Sequence, residues 1–312
     1  MLGKTANGLF WMYRYLERAE NTARLIEAGQ RIALTRLHGS DDEWRAILQT
    51  AGGLKAFEAA SEGVTKEAAI NWLLRARENG SSVLRCIETA RQNARLVRTA
   101  ITGEVWESMN STYMMAQETL ARKVGERDLP GVLVALRRQT ALVRGMTHGT
   151  MLRNDIYNFA RVGTFLERAD NTARILDVKY YVLLPSASAV GGAVDNVHWE
   201  SILRSVSARG GFRMEYGPGA GPRQIIDFLI LNTKMPRSLA FCVNKLGENL
   251  KYLAPPEHPT EAQSMVSRIQ QDHLRRDIDD VLDYGLHEFI ETYLDLLARV
   301  ARQIEVDYRF YE

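Results

Sequence analysis

A chain of 312 residues, 46% hydrophobic and 25% charged, carries enough apolar material for one sizeable core or two smaller ones, which excludes a disordered chain. Its 40 Lys and Arg nearly cancel 38 Asp and Glu, and a net charge of +2 gives no electrostatic basis for nucleic acid or a membrane surface as the main partner. Only two cysteines occur, no apolar core of a signal peptide follows Met1, and no apolar run approaches the roughly 18 residues of a membrane span, so a reducing cytoplasm is expected.

The first element is a helix. Leu9, Met12, Leu16, Ala19, Ala23 and Ile26 recur at steps of three and four and form one stripe. Glu20, Tyr13, Arg24 and Glu17 fall within about 60° of that stripe, at the border of the core, while Arg18 points to the far side. After His38, Gly39 and Ser40 a second helix is expected, capped by Ser40 or Asp41 and facing the core with Trp44, Ile47 and Leu48; Gly52 and Gly53 interrupt it. A third starts near Thr65, carries Ala69, Trp72, Leu73 and Ala76, and stops at Asn79-Gly80. Ser81 or Ser82 caps the next, through Cys86, Ile87, Ala90, Ala94 and Val97. Another runs from about Glu104 to Leu120 and is closed by residues 125–130; one more spans 131–147. Residues 185–196, 217–222 and 254–260 read as loops, and residues 261–305 as one last helix. The short apolar runs at 180–184 and 225–231 continue a helical period, so no strand is expected and the fold class is all-α, a helical bundle.

The chain also repeats itself. LERAENTAR at residues 16–24 returns as LERADNTAR at 166–174, changed only at Glu20, which becomes Asp170, after an offset of 150. Trp44, Ile47 and Leu48 correspond to Trp199, Ile202 and Leu203 at an offset of 155. Ser82, Cys86 and Asn93 correspond to Ser238, Cys242 and Asn249 at 156. The expected organisation is therefore a duplicated bundle with pseudo-twofold symmetry, a first half at 1–150 and a second at 151–312. Tyr13-Arg14 stands against Gly163-Thr164, so the copies diverge just upstream of the motif.

The segments NGLFWMYRYLERAENTAR, ARQNARLVRTAITGEVWESMN and GTMLRNDIYNFARVGTFLERADNTARILDVKYYVLLP resemble the Alpha-E family, a bacterial all-helical family named for its Glu-Arg motif, over essentially the whole chain. The resemblance implies partners among circularly permuted ATP-grasp ligases and transglutaminase-like cysteine peptidases, and a part in making, modifying or processing peptides. It carries over onto Glu17-Arg18 and Glu167-Arg168.

Two readings of the motif stand side by side. Glu17, Arg18, Glu20, Arg24, Glu167, Arg168, Asp170 and Arg174 could form a charged site for an amino-acid, peptide or phosphate group. Equally, Glu20–Arg24 and Asp170–Arg174 are i,i+4 pairs, as in a structural ion-pair network. A cleft exposing the motif carboxylates would favour the site; full burial among salt bridges would favour the network. The i,i+3 carboxylates invite comparison with dimetal bundles, but no His stands at the required spacing and Arg24 and Arg174 would compete with a cation, so neither metal nor cofactor is expected. Cys86 and Cys242 lie on apolar stripes, and His148 is the histidine nearest the second motif. The glycines at 217–221 lack the Lys-Ser/Thr of a phosphate loop. Trp11, Trp44, Trp72, Trp106 and Trp199 fit helix interiors. No catalytic residue can be assigned. The function expected is an accessory protein of a ligase or peptidase system, with a peptide-modifying enzyme and a purely structural assembly protein as alternatives; homo-oligomerisation stays open.

Overall fold

A computed structural model describes residues 3–33, 41–183, 193–254 and 257–311. Among them are fifteen helices and no strand: α1 (Gly3–Ala33), α2 (Asp41–Thr50), α3 (Leu54–Ala60), α4 (Lys66–Arg75), α5 (Val83–Leu96), α6 (Gly103–Thr119), α7 (Leu129–Thr150), α8 (Asp155–Leu183), α9 (Ala193–Ser205), α10 (Arg209–Tyr216), α11 (Pro222–Ile230), α12 (Leu239–Leu253), α13 (Glu261–Asp272), α14 (Ile278–Tyr284) and α15 (Leu286–Asp307). No helix among the described residues is long and apolar enough to cross a membrane.

The two longest helices, α1 and α8, carry the motif and pack on each other at the centre. On α1 lie α5 and α7; on α8 lie α12 and α15. Two shorter helices cross between these groups, α2 onto α8 and α9 onto α1. The stripe Leu9, Met12, Leu16, Ala19, Ala23, Ile26 is completely buried. Each Leu- or Ile-sized side chain so buried contributes about 2 kcal/mol of transfer free energy. Trp44, Trp72 and Trp199 are core residues, whereas Trp11 and Trp106 are half-buried and serve as platforms for Arg14 and for Arg91 and Arg98.

Helix starts follow capping chemistry. The side chains of Thr65, Thr102 and Ser238 accept from the backbone N–H three residues on, and Thr260 forms a reciprocal capping box with Gln263. Four boundaries differ from the sequence reading. α4 ends at Arg75, four residues before Asn79-Gly80, because Ala76 turns to extended backbone and the Asn79 side chain donates back to the Trp72 carbonyl. α7 begins at Leu129 and runs to Thr150, taking Pro130 into its first turn, where the missing N–H costs nothing. Residues 261–305 form three helices: Asp277 caps α14, and Gly285, at φ 105°, stops it and starts α15. Residues 193–196, expected in a loop, open α9. The remainder of that loop, the boundary at 34–40 and residues 255–256 lie outside the described residues.

Several local arrangements recur at the sequence offsets. After α2, the Gly53 N–H donates to the Leu48 carbonyl with Gly52 at φ 71°; after α9, Ala208 donates to Leu203 with Ser207 at φ 54°. Phe57 and Phe212 are buried at the same place beyond each turn. The Ser82 and Ser238 hydroxyls donate to the carbonyls of Ala76 and Asn232, six residues back in each case.

Candidate functional site

The face of α1 next to its apolar stripe is covered by α8, and this converts the expected border of the core into its centre. Glu17 and Glu20 are each 1% exposed and Glu167 is 4% exposed. Three buried carboxylates need cationic partners, since an unpaired one would cost several kcal/mol.

The motif helices supply part of this to each other. Arg18 donates Nε and Nη2 to the two oxygens of Glu167, at 2.5 and 3.0 Å. Arg168 donates Nε and Nη2 to Glu17, at 2.8 and 3.0 Å. Both pairs are the two-pronged fork that a planar guanidinium allows and an ammonium does not. The side of Arg18 that points away from the α1 stripe thus faces α8.

Around the first copy of the motif the network is closed. Glu17 also accepts from Arg144 on α7 at 3.3 Å and from Arg237, just before α12, at 3.2 Å. Glu20 accepts from Arg24 at 2.7 Å, from Arg237 at 2.7 Å and from the Thr140 hydroxyl at 3.1 Å, and pairs with Arg144. Arg237 donates further to the Asn21 Oδ1 at 3.1 Å and is only 6% exposed. Arg24 reaches the Ser205 carbonyl and the Ser207 hydroxyl.

The second copy differs. Glu167 receives Arg18 and, at 2.8 Å, Arg14; Asp170 receives, among the described residues, only its i,i+4 partner Arg174, at 2.7 Å. Beside them lies a cleft of about 320 Å³ between α1, α8, α15 and the turns that follow α2 and precede α5. It opens to solvent along Arg18 and Arg174, whose side chains keep 27% and 40% exposure. Asn21 and Thr50 line it, each more than nine-tenths buried, and neither the Asn21 Nδ2 nor the Thr50 Oγ1 has a hydrogen-bond partner among the described residues.

Electrostatics follow the geometry. Burial by itself would raise the Glu17 and Glu167 carboxyls, but Arg168, Arg144 and Arg237 hold Glu17 well below the usual range, and Arg18 and Arg14 hold Glu167 at about 2. Burial pulls the Arg237 guanidinium down to about 10 against the attraction of Glu17. Unfolded glutamates take up protons near pH 4.3, whereas native Glu167 resists until about pH 2, so this stabilisation is complete above about pH 4.5 and is lost as the pH falls towards 2. Thermal melting followed from about pH 6 down to about pH 3 is expected to show a falling Tm; a constant Tm would contradict the charged network.

Burial pushes the Cys86 and Cys242 thiols up to about 12, so both stay protonated at neutral pH and act as core residues. The motif carboxylates that a metal would need are each taken up by guanidinium groups. His148 meets the Tyr157 hydroxyl at 2.9 Å instead of a motif carboxylate.

All eight expected motif residues therefore gather at the α1–α8 interface, but they divide: Glu17, Glu20, Arg24 and Arg168 lie in the closed network, while Arg18, Glu167, Asp170 and Arg174 line the cleft. Arg14, Arg144, Arg237 and Asn21 were not anticipated. Two of them had a readable signal: Asn21 lies inside the repeated motif and returns as Asn171, and Arg14 stands one turn before Arg18 on the same face of α1.

Fold and site together define an all-helical protein whose two central helices are clamped by reciprocal Glu–Arg forks. A family model, Alpha-E, described as "a predicted alpha-helical domain with a conserved ER motif", matches residues 1–308, and the chain belongs to that family. No curated protein and no solved structure matches it.

Proposed function

We propose that the chain is an accessory recognition protein, a duplicated bundle that binds a charged amino-acid or peptide group and works in the cytoplasm beside an ATP-grasp ligase or transglutaminase-like peptidase. The cleft carries this reading: it sets cationic, anionic and amide side chains of the second motif around a space at the lower end of the roughly 300–1,000 Å³ usual for small ligands. Duplication is supported by the reciprocal forks and by the turns that recur at offsets of 155 and 156. The closed network around Glu17 and Glu20 has a structural role, holding α1 to α8.

The chemistry at hand is recognition, since both thiols are buried and protonated and the motif carboxylates are held by arginines. Copurification from the native host is expected to bring down a ligase or peptidase of those classes, with ATP consumption appearing only when that partner is present. ATP turnover by the isolated chain would overturn the accessory reading.

A further inference from the structure

The two copies of the motif stand in matching frames, yet one is filled and the other open, and the residues responsible can be named. At the offset of 156 that relates Ser82 to Ser238, Ser81 stands where the other copy has Arg237. α7 and α15 are each 22 residues long, and their last turns close alike, Met151 N–H to Thr147 and Tyr308 N–H to Ile304, an offset of 157. At that offset Ala301 stands where the other copy has Arg144. Ser81 and Ala301 both line the cleft. Two long arginines are thus replaced by two short side chains, and the space they vacate is the cleft; Arg14, opposite Thr164, fills it only in part.

The filled copy shows what such a frame holds. Glu17, Glu20 and Asn21, at i, i+3 and i+4 on α1, converge on the Arg237 guanidinium. Their counterparts Glu167, Asp170 and Asn171 occupy the same spacing on α8 and all line the cleft. Four guanidinium groups surround two carboxylates in the filled copy, against three in the open one, so one more cation restores the same balance. Asn21 Nδ2 and Thr50 Oγ1, which have no partner among the described residues, offer hydrogen bonds to an oxygen acceptor on the occupant as well.

We infer that the cleft binds an arginine, free or within a peptide, whose guanidinium meets Glu167, Asp170 and Asn171 in the place that Arg237 takes in the other copy, and whose carbonyl or carboxylate oxygen meets Asn21 and Thr50. This rests on the recognition reading above and names its ligand.

Titration calorimetry on the full chain tests it, with free L-arginine, a tripeptide with a central arginine and blocked ends, L-citrulline, L-glutamate and inorganic phosphate as probes. One of the two arginine compounds is expected to bind, and the stronger identifies the source. Citrulline, of the same shape without the charge, is expected to bind at least about tenfold more weakly. Ser81→Arg supplies the missing side chain from within; it is expected to raise the Tm and to weaken arginine binding at least about tenfold. Asp170→Asn, at a half-exposed position, is expected to weaken it similarly and serves if Ser81→Arg does not fold. Binding of glutamate or phosphate without arginine, blocked by Ser81→Arg, would overturn the guanidinium assignment and leave the recognition reading standing. Equal binding of citrulline, or arginine binding untouched by both substitutions, would also overturn it. A cleft that takes none of these probes would sink both.

Discussion

Glu17→Gln is expected to destabilise the protein by about 3–5 kcal/mol, the usual cost of removing one partner from a buried, hydrogen-bonded ion pair. The side chain keeps its size, so the loss is of charge. Arg168, Arg144 and Arg237 all donate to Glu17, and four guanidinium groups already share two carboxylates there. Taking away an acid leaves that excess uncompensated at a site 1% exposed. Arg144→Gln goes the other way: it reduces the excess, and Arg144 is 20% exposed, so about 1–2 kcal/mol is expected. With roughly 2 °C of Tm per kcal/mol in a chain of this size, Glu17→Gln should lower the Tm by about 6–10 °C. Adding Arg237→Gln to Glu17→Gln should cost less than the sum of the two single changes, because it removes the stranded cation. A larger loss from Arg144→Gln than from Glu17→Gln would refute this account.

Gly163→Ala is the second large effect, and it acts through backbone. A Cβ at Gly163 would lie 2.4 Å from the Phe10 carbonyl oxygen and 3.2 Å from its carbon, main-chain atoms that cannot rotate away. α1 and α8 would have to separate by several tenths of an ångström. The forks between Arg18 and Glu167 and between Arg168 and Glu17 lie about one turn further along α8 and about two turns further along α1, and would lengthen with them. Overpacking of this kind costs roughly 1–3 kcal/mol, which outweighs the gain of up to about 1 kcal/mol from the better helix propensity of alanine. Gly145, also inside a helix, meets nothing within 4 Å, so Gly145→Ala is expected to stabilise by about 0.5–1 kcal/mol. The same substitution should therefore move the denaturation midpoint in opposite directions at the two positions; stabilisation by Gly163→Ala would rule out close approach as the reason for glycine there.

That contact also explains why the copies diverge upstream of the motif. Tyr13 is buried, its hydroxyl hydrogen-bonded to Thr147, while its counterpart Gly163 admits the α1 backbone. Sequence comparison finds the divergence but not its reason, since Phe10 lies 153 residues from Gly163 in the chain. The division of residues 261–305 into three helices was hidden for another reason. Leu274, Ile278 and Val281 are buried and prolong the apolar pattern across the breaks, which only Asp277 as a cap and the positive φ of Gly285 impose.

Local periodicity and repetition determined the all-helical class, the buried stripe of α1, the core cysteines and the two copies of the motif as candidate residues, whereas their meeting is a product of the packing of α1 on α8. Each of the former depends on residues a few turns apart or on a copied stretch of chain. Whether a motif carboxylate is sealed or open depends on side chains that arrive from far away: Arg144 and Arg237 close the first copy, and Ser81 and Ala301 leave the second open. The two copies are almost identical in sequence, so the motif itself cannot carry that difference. Only the packing of α7, α15 and the turns before α5 and α12 around the central pair decides it, because charge compensation inside a core is set by whichever cations the tertiary structure brings within hydrogen-bonding distance.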